Sequence, residues 1–157
     1  FLHNRGIGFN LDPGHAACYG PGRRPPHTLS PALVTRSDGR LRAVLGTMGG
    51  DAQPQIVLQM LVRLLLDGAD PGHVVGGGRW VLTGGSTGFE TWADADSLEV
   101  IVEDHAPQAW VSGLGERGHT ARIGSGNFGH AHCIEVTDGG LRGAADPRAL
   151  VGEAAGF

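Results

Sequence analysis

The passage "LRAVLGTMGGDAQPQIVLQMLVRLLLDG", residues 41–68, constrains this chain more than any other. A short apolar strand ends in two adjacent glycines, Gly49 and Gly50, and an amphipathic pattern opens immediately after them. Asp51 stands where a helix N-cap belongs, and Pro54 falls in the first turn, where its missing N–H costs little. Ile56, Val57, Met60, Leu61, Leu64 and Leu65 recur at helical spacing, so the helix should bury one face, with Gly68 as its stop signal. The glycine pair itself has three uses: a plain tight turn, a cradle for a phosphate, or a display of bare backbone N–H groups to the oxygen of a substrate carbonyl. Residue type alone leaves all three open.

The flanking sequence sets the fold class. "LSPALVTRSDGRLRAVLGT" reads as two strands around a Ser37-Asp38-Gly39 turn, and "HAHCIEVTDGGLRGAAD" as a hairpin turning at Asp138-Gly139-Gly140. "SLEVIVED" and "HTARIG" read as strands, and "APQAWVSGLGERG" as a short helix stopped by its glycines. The sum is a mixed α+β domain, mostly antiparallel. Residues 1–27 carry few periodic apolar positions, and "LDPGHAACYGPGRRPP" reads as a long loop stiffened by Pro21, Pro25 and Pro26. Residues 72–96 are rich in glycine and carry no clear period. Glycine reaches 28 of 157 residues, well above the usual share of about 7%, without any repeat, which points to many tight turns. With neither repeat nor boundary, residues 1–157 read as a single domain.

Charge and apolar patterning exclude several roles. The net charge of −4 offers no basic excess for nucleic acid. No apolar run approaches the roughly 20 residues that span a bilayer, and no signal peptide opens the chain. The chain starts at Phe1, so its compartment stays open. Cys18 and Cys133 are too few for a disulfide framework and are expected to be free.

Four motifs invite a functional reading and meet a plainer one. "GSGNFG", residues 124–129, has dinucleotide-fingerprint spacing, but a strand rather than a helix follows it, which favours a glycine-rich turn. "HAHC" puts His130 and His132 on one strand face with Cys133 opposite, and two ligands are too few for zinc. "GGGRW", residues 76–80, lacks the lysine of a phosphate loop and is better read as a turn that sets Arg79 against an acidic or aromatic partner. In "PGRRPPHTLSP", Arg23 and Arg24 either hold a carboxylate or are solvated, and His27 and Thr28 sit where a loop can present them to a pocket. No metal and no cofactor is expected.

Taken in order, "NRGIGFNLDPGHAACYGPGRRPPHTLSPALV", "GTMGGDAQPQIVLQML", "GGGRW" and "GAADPRALVGEAAGF" resemble the small subunit of the γ-glutamyltranspeptidases. The resemblance runs from about residue 2 to the end of the chain. It implies an αββα sandwich of the N-terminal-nucleophile hydrolase type. It also implies a precursor that cleaves itself to free a threonine, which attacks a γ-glutamyl amide with its own α-amino group as base. The glycines matching Gly49 and Gly50 then supply an oxyanion hole. Asn4, Arg5, Gly8, His27 and Thr28 fall on the substrate-binding segments, and Asp146 with Arg148 of "ADPR" on a structural clamp or ion pair. The implied partners are the large subunit of the same precursor and a small γ-glutamyl or other acyl-amide substrate.

Three departures from the family pattern bear on activity. The nucleophile of the family lies a few tens of residues ahead of Phe1, so residues 1–157 alone should be inactive. Gly8 stands where an aspartate usually holds the substrate α-amino group, and Arg5 where a glutamine or glutamate is usual. His27 and Thr28 match a serine pair that holds the α-carboxylate. The pattern resembles an acylase-like subgroup. The sequence therefore implies γ-glutamyl transfer or glutathione hydrolysis, with a cephalosporin or glutaryl-type acylase as the alternative. A non-catalytic binding module on the same fold is the reading outside enzymes.

Overall fold

A computed structural model describes residues 4–84, 97–126 and 128–156. The hairpin expected around Gly39 is formed by β1 (Ala32–Thr35) and β2 (Leu41–Thr47), with Gly39 at a φ of 83° in the turn. Gly50–Ala52 makes one 3-10 turn that runs into α1 (Gln53–Leu65), and α2 (Pro71–Gly76) follows. β3 (Trp80–Thr83), β4 (Glu99–Val102), α3 (Ala109–Gly115), β5 (Ala121–Ile123), β6 (Ala131–Thr137) and β7 (Gly140–Ala145) complete the order. β3 and α2 lie in the stretch that sequence periodicity left unread; residues 85–96 of that stretch lie outside the described residues. Within the expected N-terminal loop, Asn4–Gly8 forms a short 3-10 helix.

The described residues form two sheets. One runs β1-β2-β6-β7, antiparallel throughout; the other runs β3-β4-β5, with β3 and β4 antiparallel and β4 and β5 parallel, in keeping with a mostly antiparallel domain. Alternation decides the faces. Ala43 and Leu45 of β2 and Ala131 and Cys133 of β6 point into a core filled by Ile56, Val57, Met60 and Leu64 of α1 and Val74 and Val75 of α2. Val81 and Ile101 of the smaller sheet close the same core from the other side. α3 covers the opposite face of that sheet, with Trp110, Val111 and Leu114 packed on Val100 and Val102.

Helix termini follow local chemistry, with one correction. Asp51 is not the N-cap of α1: it lies inside the 3-10 turn, and Ala52 occupies the cap position without a side-chain bond. Pro54 sits in the first turn as expected, and Gly68, at a φ of 67°, follows the end of the helix. Asp70 caps α2, its Oδ1 accepting from the N–H groups of Gly72 and His73 at 2.8 and 3.1 Å. His132 is exposed and Cys133 buried, on opposite faces of β6 as the alternation required. Among the described residues no helix is long and apolar enough to cross a membrane.

Candidate active site

The glycine pair stands at the end of β2, a central strand, and at the start of α1. Gly49 is buried with a φ of 146°, and Gly50 has a φ of 56°. Both angles favour glycine, so the pair makes a turn that other residues resist. Among the described residues neither N–H is taken by a hydrogen bond, while the Gly49 carbonyl accepts from Ala52 N–H at 3.1 Å. Two bare donors at a helix N-terminus, where the helix dipole is positive, form a ready receptor for negative charge on an oxygen.

The segment carrying His27 and Thr28 is tied to that helix. Ser30 N–H donates to Gln53 Oε1 at 3.2 Å, and Gln53, the first residue of α1, is buried. Arg5 Nη1 donates to Thr28 Oγ1 at 2.8 Å, so two sequence-predicted site residues 23 positions apart meet directly. His27 is exposed, and its Nδ1 accepts from Leu29 N–H at 3.1 Å in a local turn. Asn4 is exposed and Gly8 half-buried on the short N-terminal helix beside Arg5. Arg23 turns back on its own loop, donating to the Cys18 carbonyl at 3.1 Å.

Behind the glycine turn lies a buried ionic cluster. Arg79 and Asp146 are fully buried and joined at 2.6 Å. This is the acidic partner expected for Arg79. Arg148 donates to Asp146 Oδ1 at 3.0 Å and grips Glu103 at 2.5 and 2.6 Å, so "ADPR" does form an internal ion-pair clamp. Burial, with the Arg148 charge adding to it, pushes the Arg79 pKa down. Burial works to raise the Asp146 carboxyl, but the N–H groups of Arg148 and Ala131 and the Arg79 charge outweigh it and hold the carboxyl below its usual range. Glycine is required at 78, where an added Cβ would lie 2.7 Å from Ala106, so the "GGGRW" run serves packing.

Sequence reasoning missed Gln53, Glu103 and Gly129. Gln53 lies within the glycine-pair motif and Glu103 at the end of a strand, but their partners, Ser30 and Arg148, are far away in sequence, so only tertiary contact reveals their roles. Gly129 stood within a motif read as a turn, of which Asn127 lies outside the described residues. Among the described residues no cluster of three metal-ligating side chains occurs.

Comparison with known proteins shows what the chain as a whole is similar to. The family model for gamma-glutamyltranspeptidase matches residues 1–156. An oxamate amidohydrolase proenzyme of Klebsiella pneumoniae is 38% identical over 98% of this chain and 28% of its own length. A glutathione hydrolase-like proenzyme of Bacillus subtilis is 33% identical over 94% of this chain and 27% of its own. The crystal structure of cephalosporin acylase from Bacillus halodurans superposes with a TM-score of 0.76 at 31% identity, over 92% of this chain and 25% of that one. The fold is thus that of the N-terminal-nucleophile hydrolases, and the chain spans about a quarter of the length of these relatives.

Proposed function

The chain belongs to the γ-glutamyltranspeptidase family, and on that premise we propose that it is the small-subunit portion of a self-processing amidohydrolase in which Gly49 and Gly50 hold the oxyanion. The observation that carries this reading is the glycine turn itself, with two N–H groups at the head of α1 that no hydrogen bond takes among the described residues. In this reading a threonine upstream of the chain attacks the amide carbonyl carbon while its own α-amino group takes the hydroxyl proton. Negative charge moves onto the carbonyl oxygen and is received by the two N–H groups, each worth about 3 kcal/mol in the transition state. The amine leaves with the transferred proton, and water then cleaves the acyl ester by the same route in reverse.

The acyl pocket of this reading is made by Arg5, His27 and Thr28, with Asn4 supporting its wall. Gly8 offers no carboxylate to an α-ammonium group, whereas the Arg5 guanidinium suits a carboxylate. The substrate named for the Klebsiella relative, oxamate, is an amide with a carboxylate on the acyl carbon and no ammonium group. These two points favour an acyl group that carries a carboxylate and lacks an α-ammonium. The name of the Bacillus subtilis relative favours glutathione as the second substrate to test. The large subunit of the same precursor is the partner. Its place is the open face of the larger sheet, where Leu33, Val44, Ile134 and Leu141 are exposed.

The test is expression from the complete reading frame, followed by intact mass and a panel of oxamate, a glutaryl amide, a γ-glutamyl anilide and glutathione. Two pieces, the smaller starting at a threonine, and turnover of the acids without an ammonium group are expected. A single uncleaved mass with no turnover would leave a binding module. Arg5→Ala should raise KM for the acidic substrates roughly 10- to 100-fold. An unchanged KM for all of them removes Arg5 from the pocket.

A further inference from the structure

We propose that Gly129, gripped by the buried Arg79–Asp146 pair, is a positioning residue that sets the oxyanion turn from behind. The proposal rests on the reading of Gly49 and Gly50 as oxyanion donors. Gly129 has a φ of 70°, and a Cβ built there would collide with the Met48 carbonyl oxygen and Thr47 Oγ1, and would lie 3.0 Å from Ile56 Cδ1. From the other side, a Cβ on Gly49 would stand 3.6 Å from Gly129 Cα and 3.4 Å from the same Ile56 methyl. The Gly49 turn is therefore packed against the Gly129 backbone, with the Ile56 methyl touching both positions. Met48 N–H donates to the His130 carbonyl at 3.1 Å, which fixes their register.

The segment that carries Gly129 is itself held on both sides by charge. Arg79 Nη1 donates to the carbonyls of Phe128 and Gly129 at 2.5 and 3.3 Å, and Nη2 donates to the Val75 carbonyl at 2.8 Å and to Asp146 at 2.6 Å. Asp146 Oδ2 accepts from Ala131 N–H at 2.8 Å, and the Asp146 N–H donates to the Ala131 carbonyl at 2.9 Å. One buried pair thus clamps residues 128, 129 and 131. The planar fork of an arginine reaches these acceptors at once, which a lysine ammonium cannot do. The "GSGNFG" stretch ends in this clamp, and its last glycine is the point of contact with the oxyanion turn. Displacing that contact shifts the Gly49 N–H relative to the carbonyl oxygen it must meet, and a misplacement of about 1 Å costs roughly 100-fold in rate.

The experiment uses the protein expressed from its complete reading frame and the same four-substrate panel. Gly129→Ala and the isosteric Asp146→Asn are each assayed for kcat and KM, for the half-time of self-cleavage by intact mass, and for a cooperative melt. The expected result is a drop of roughly 100-fold in kcat with KM unchanged in a variant that still melts cooperatively. Wild-type kcat in a folded variant, or a loss confined to KM, overturns the positioning role. So does failure of both variants to fold, which would leave the clamp a folding determinant alone. Wild-type protein silent on the whole panel removes the oxyanion reading and this proposal with it. An active wild type with unaffected variants removes this proposal alone.

Discussion

Single residues in this chain act through what surrounds them rather than through intrinsic reactivity. The two cysteines make the contrast plain. The Cys133 thiol is buried against α1 and α2, and burial, with the Glu135 charge beside it, pushes its pKa up to about 11. Cys18 is half-exposed, on the N-terminal loop. Native protein at pH 8 should therefore take up iodoacetamide at Cys18 and not at Cys133, and denaturant should release the second site; peptide mapping checks both. Gly49 illustrates backbone rather than side-chain constraint. Its φ of 146° and its contact with Gly129 make Gly49→Ala costly in kcat, by roughly 100- to 1,000-fold, while the fold survives in a thermal melt.

At the scale of elements, α1 does more than fill the core. Its buried Gln59 donates to the Trp80 carbonyl at 2.8 Å and accepts from Trp80 N–H at 3.0 Å. Gln55, one turn earlier, does the same for Leu82, at 3.2 and 2.7 Å. Two glutamines four residues apart thus satisfy the outward edge of β3, which would otherwise lie open to pairing. Gln59→Leu leaves both Trp80 backbone groups without a partner and should cost about 1–3 kcal/mol, read from urea denaturation. Periodicity located α1 because its apolar stripe is local. The role of the glutamines has no such local signal, since their partners lie 21 and 27 residues away.

For the molecule as a whole, the ionic cluster joins parts that the chain holds far apart: Arg79, Glu103, Asp146 and Arg148. Because the Asp146 carboxyl titrates lower when folded than its ordinary 3.8, its contribution is fully present above pH 3.8 and is lost as pH falls below that value. Acid unfolding monitored by circular dichroism should steepen below pH 3.8 in the wild type and flatten there in Asp146→Asn. Asp146→Ala, which strands the buried Arg79 charge, should cost about 3–5 kcal/mol. The open face of the larger sheet exposes Leu33 and Leu141 by 68% and 73%. Residues 1–157 expressed alone should accordingly self-associate, seen as a concentration-dependent mass by light scattering.

The sequence by itself determined the elements whose signals are local. The glycine pair between β2 and α1, the stripe of α1, the two hairpins and the solvent-to-core alternation of His132 and Cys133 all follow from spacings of a few residues. It also ordered the motifs that point to the family, because those are strings of neighbours. The tertiary structure alone decided the meeting of Arg5 with Thr28, the anchoring of Ser30 by Gln53, the glutamine edge on β3 and the backing of Gly49 by Gly129. The physical reason is the same in each case: a hydrogen bond or a close approach between residues 20 to 80 positions apart leaves no period in the chain. It exists only once burial has removed water as the competing partner.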